Sequence, residues 1–99
     1  MKHIYKYKLT KQFNQVLELP IGSKVLSVVG LQMQNIVVYA IVEIDPDSVC
    51  TELERYKVNI TETGARCDDV DSNSFVGTVT LNEGQLVYHV FVEKSSPDN

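Results

Sequence analysis

The sequence predicts an all-β fold, a single small antiparallel sandwich or barrel of about seven strands. Three observations predict it. Apolar and polar residues alternate with period two along most of the chain, turn chemistry recurs at short intervals, and no segment shows a convincing helical period. At 99 residues the chain is one domain, of a size that buries roughly 60–65% of the surface its unfolded form exposes. An apolar fraction of 43% with 22% charged residues matches an ordinary globule and excludes disordered, coiled-coil and collagen-like classes.

The first strand is expected over residues 3 to 9, where Tyr5, Tyr7 and Leu9 fall on one side and Lys6 and Lys8 on the other. "QVLEL" follows as a second short strand, closed by the Pro20 and Gly22 turn. "KVLSVVGLQMQNIVVYAIVEI", Lys24 to Ile44, is too long for one strand and reads as a hairpin around "LQMQN". Its arms, about Lys24 to Met33 and Ile36 to Ile44, are expected to form the middle of the sheet, because the second is apolar on both faces. Gly30 marks a candidate bulge.

Asp45 to Glu52 reads as a connection, with room for one helical turn capped by Asp45. Leu53, Tyr56, Val58 and Ile60 alternate with Arg55, Lys57 and Asn59 in a further half-buried strand. After the long connection Thr61 to Phe75, "FVGTVTL" and "QLVYHVFVE" form a closing hairpin in which Gly84 takes positive φ. The domain is expected to span 1–94, with 95–99 a flexible tail.

A net charge of −4 argues against binding long nucleic acids, which requires clustered Lys and Arg. No run approaches the roughly 18 apolar residues of a membrane span, and "MKHIYKYKLTKQ" lacks a secretory h-region. No membrane partner and a cytoplasmic location are therefore expected. Cys50 and Cys67 are expected as free thiols. No cofactor is implied, and no metal, since His3 and His89 have no local ligand spacing to the cysteines. Asp69, Asp71 and Asn73 alternate as in a hand-type calcium loop, but Ser74 stands at the sharp turn and Thr80 at the bidentate position, so a solvated loop is expected.

"IYKYKL", "LPIGSKVLSV", "YAIVEID" and "FVGTVTLNEGQLVYHVF", in that order over nearly the whole chain, resemble a family of short uncharacterised proteins of tailed bacteriophages. Gly77, Thr78, Gly84, Val87, Tyr88, His89, Val90 and Phe91 carry the closing pattern. The resemblance implies no activity and no catalytic residue. The chain departs from the family where Ala65 and Arg66 follow Thr63-Gly64 in place of His-Pro.

Thr63, Gly64 and Arg66 could offer backbone N–H groups and a guanidinium to a phosphate, with Arg55 and Lys57 on the preceding strand. Tyr56 and Tyr88 are the candidates to stack on a base. His89 is expected as a hydrogen-bonded structural residue, since no nucleophile stands beside it in sequence. The expectation is a non-enzymatic phage accessory protein acting in the host cell cytoplasm. It would sequester a small nucleotide immune signal as a counter-defence sponge, with the ligand held between copies of a homo-oligomer. The alternative is a protein-interaction module that inhibits or recruits a host protein through a sheet edge or an acidic surface including Glu52, Glu54, Asp68, Asp69 and Asp71.

Overall fold

The computed structural model describes residues 1–10, 12–31, 35–43, 52–81 and 83–95. Within them the chain forms seven strands: β1 Lys2–Leu9, β2 Asn14–Pro20, β3 Lys24–Leu31, β4 Asn35–Glu43, β5 Leu53–Glu62, β6 Phe75–Leu81 and β7 Leu86–Lys94. A 3-10 turn, Ser72–Ser74, precedes β6. The strands make a sandwich of two antiparallel sheets, a three-stranded one ordered β1-β4-β3 and a four-stranded one ordered β2-β5-β7-β6.

Two-residue alternation decides which side chains meet in the middle. Leu9, Ile36, Val38 and Ala40 of the three-stranded sheet face Leu17, Leu19, Tyr56, Val58, Ile60, Val79, Leu81 and Val90 of the other. Each aliphatic side chain so buried contributes about 1.5–3 kcal/mol. β4 carries buried residues on both faces, Val37 as well as Ile36 and Val38, because it runs between two neighbours.

β3, by contrast, lies at a sheet edge and not in the middle. A three-stranded sheet has one central place, and β1 returns to the far side of β4. Gly30 is not the bulge either: the register slips between Val25 and Ser27. Gly30 is instead a point of close approach, since a Cβ there would lie 2.7 Å from Leu81 Cδ2 and 3.0 Å from the Thr80 carbonyl oxygen. A Cβ at Gly77 would meet Val28 Cγ1 at 3.0 Å. These two glycines let β3 and β6 close one side of the sandwich.

The other side ends in β1 and β2. Along the inward face of β1, cover fades toward the N-terminus: Leu9 is buried, Tyr7 half-buried, and Tyr5 and His3 exposed. The expected turn with Asp45, the thiol of Cys50 and the tail beyond Ser95 lie outside the described residues.

Candidate functional site

The outward face of the four-stranded sheet carries most of the polar residues singled out from the sequence. On β5 that face presents Arg55, Lys57, Asn59 and Thr61, opposite Glu18, Val16 and Asn14 of β2 and Glu93, Phe91 and His89 of β7. Asn59 and Thr61 are buried although polar. Asn59 Nδ2 donates to Asn14 Oδ1 at 3.0 Å, and the Thr61 hydroxyl donates to Asn59 Oδ1. Such pairing is what makes buried polar groups affordable.

His89 sits between two hydroxyls, with Nε2 at 2.7 Å from Thr63 Oγ1 and Nδ1 at 2.9 Å from Thr78 Oγ1. A neutral imidazole donates at one nitrogen and accepts at the other, and a threonine hydroxyl suits either role. The ring is thereby pinned across β7, β6 and the end of β5. Neither of its hydrogen-bond partners is a carboxylate that could orient it as a base. Both threonines are distant in sequence: the register sets Thr78 against His89, and Thr63 reaches the ring from the turn after β5.

β5 leaves the sheet through a turn in which Ala65 N–H donates to the Glu62 carbonyl at 3.0 Å. Gly64 has φ +91°, a value that side chains other than glycine's rarely tolerate. Thr63, Gly64 and Arg66 therefore do share one exposed loop mouth. Arg66 is ion-paired with Asp68, and its side chain is 89% exposed. The chain then folds back over the sheet. Asp71 caps the 3-10 turn, its Oδ1 accepting from Asn73 N–H at 2.9 Å, and the turn packs on β7. Between this loop and the sheet, a cleft lined by Lys57, Asn59, Val70, Asp71, Ser74 and Phe91 has a volume of about 10 Å³. That is room for one water molecule.

The remaining candidates do not converge on Arg66. Lys57 is six residues before Thr63, about 20 Å along an extended strand, and its Nζ lies 4.0 Å from Glu93 Oε1. Arg55 lies further still along β5. Tyr56 points the opposite way from both, into the core, where it is 9% exposed. Its hydroxyl donates within reach of the Ser23 carbonyl at 3.2 Å and Glu54 Oε2 at 3.3 Å. Burial first, and then the Glu54 carboxylate, raise its pKa above the ordinary 10.0. Tyr88 also faces inward, half-buried against the core. The two tyrosines and the basic residues of the expected stacking site thus occupy opposite faces of one sheet, as strand alternation requires.

Among the described residues, no three His, Cys, Asp or Glu side chains are grouped closely enough to hold a metal ion. Cys67 is a free, exposed thiol. No helix among these residues is long and apolar enough to cross a membrane.

A family model, Domain of unknown function (DUF7352), matches residues 1–99. The chain belongs to this family. No curated protein matches this DUF7352 chain, nor does any solved structure.

Proposed function

We propose that this DUF7352 chain is a non-enzymatic protein-interaction module, in the setting its sequence resemblance implies: a tailed-bacteriophage product that inhibits or recruits a protein in the host cytoplasm. The observation that carries the reading is the open side of the sandwich. Both strands there end their sheets, and Ile4, Tyr5 and Val16 on them, with Phe13 between, stand exposed. Unpaired strand edges pair readily with another chain. The cleft under the loop, with room for one water, offers no enclosed place for a small ligand of the usual several hundred Å³.

Nucleotide sequestration between copies of the chain is the second reading, favoured by Thr63, Gly64 and Arg66 at one exposed loop mouth. It requires Arg66 to exchange Asp68 for a phosphate, and a homo-oligomer to enclose the base. Native mass spectrometry of the tagged chain recovered from host extract separates the two. A stoichiometric complex with a host protein is expected. A homo-oligomer that releases only a nucleotide on denaturation would overturn the interaction reading in favour of the second, and a bare monomer would overturn both.

A further inference from the structure

Among the described strands β1 is the most exposed. Lys2, His3, Ile4, Tyr5 and Lys6 are exposed on both faces, and among the described strands β4 is its sole partner in the sheet. One side of its backbone therefore turns alternate N–H and C=O groups outward, unpaired with any described strand. Its charge is one-sided. The strand reads KHIYKYKL, three lysines and no acid, in a chain whose net charge is −4. Lys2, Lys6 and Lys8 share one face with Ile4, and none forms an ion pair with a described residue. Lys24 of β3 stands on that same face, across the sheet opposite Ile41. On the other face His3 and Tyr5 stack, ring centroids 5.7 Å apart and 4° from parallel, as an uncovered aromatic shelf.

These features discriminate between occupants. A second copy would bring an equally lysine-rich strand alongside, and like charges across a strand pair are destabilising; lysine on an edge is the usual guard against such self-pairing. An extended segment with carboxylates at alternate positions meets no such penalty. Its acids would face Lys6 and Lys8, and the side chains between them would lie against the His3–Tyr5 shelf. We propose that the free edge of β1 is a docking site for an extended acidic peptide of a partner protein, added to sheet β1-β4-β3 as a fourth strand. The inference rests on the protein-interaction reading and names its partner class.

The test titrates the isotope-labelled full chain with three synthetic peptides: alternating Glu and Val with one Tyr, the same with Lys for Glu, and the Glu peptide N-methylated at alternate amides. The Glu peptide is expected to shift and protect from exchange the amides of residues 2–8, to bind at least about tenfold more tightly than the other two, and to weaken as salt screens the charges. The double variant Lys6→Glu with Lys8→Glu should reverse the preference toward the Lys peptide. That swap requires a folded edge and so excludes simple unfolding. Equal binding of Glu and Lys peptides, shifts confined to other strands, or no binding would overturn the proposal. The broader reading is judged separately: a host-protein complex that survives in the double variant sinks the β1 site alone, whereas a wild-type chain that holds no protein sinks the interaction reading as well.

Discussion

Along the side where β3 meets β6, Gly30 and Gly77 leave out side chains so that strands from different sheets come into contact. Along the side that ends in β1, lysine and tyrosine side chains stand in water and no described strand closes over them. The same two-residue alternation builds both. Closure is decided by what projects at the rim: a missing Cβ lets sheets meet, and a row of like charges holds other chains off unless they bring the opposite sign. The first side is the tightly packed one, and the second is the one proposed above to take a partner.

The strongest way to break this contrast is Gly30→Val. Its Cβ would press on Leu81 and on the Thr80 backbone, and overpacking of this kind costs about 2–3 kcal/mol. For a domain of this length that lowers the thermal midpoint by roughly 10–20 °C, read by calorimetry. Asn59→Ala loosens the hold on β2 across the open side, leaving Asn14 and Thr61 without their shared partner, at about 1–2 kcal/mol in urea unfolding.

Tyr56→Phe is a smaller loss, about 1 kcal/mol at neutral pH, since it removes only the hydroxyl contacts with Ser23 and Glu54. It also has a signature in pH. The folded state holds the phenol proton more tightly than the unfolded chain, so this stabilisation is complete below pH 10 and disappears as pH rises through the elevated folded value. Tyr7, raised mainly by burial, adds to the same alkaline loss. Denaturant midpoints measured across the alkaline range should therefore fall less steeply in Tyr56→Phe than in the parent chain. Smallest of all, Lys6→Glu with Lys8→Glu should change stability by no more than about 0.5 kcal/mol, because both side chains are exposed and make no described ion pair. A large loss there would mean that the open side is structural after all.

Strand positions were legible because each buried face repeats every second residue. Phe75–Leu81 agrees with the sequence expectation residue for residue, and Gly84 has the expected positive φ, 87°. Partner choice was not legible. Periodicity says which way Tyr7 or Leu17 points, but nothing in it says that β1 lies beside β4 and β2 beside β5. The centrality of β4 could be read from its two apolar faces; the marginal place of β3 could not. At the site, the grouping of Thr63, Gly64 and Arg66 followed from their adjacency in sequence. The inward aim of Tyr56 was also available, since it alternates with Arg55 and Lys57, and a reading by residue type alone overlooked it. The clamp of two threonines on His89 depends on register, and the folding of residues 63–74 back over β7 on contacts between distant segments. Neither leaves a local mark.

The connectivity also sets an order of events during folding. β3–β4 and β6–β7 are neighbours in sequence and can zip as local hairpins, whereas β1 and β2 must wait for β4 and β5 to be synthesised and to find them. Closing such long loops before any contact rewards them is slow. During synthesis β1 therefore stays bare until β4 is complete at Glu43, and β2 longer, until β5 is complete at Glu62; lysines on a bare strand disfavour its pairing with other chains in that interval.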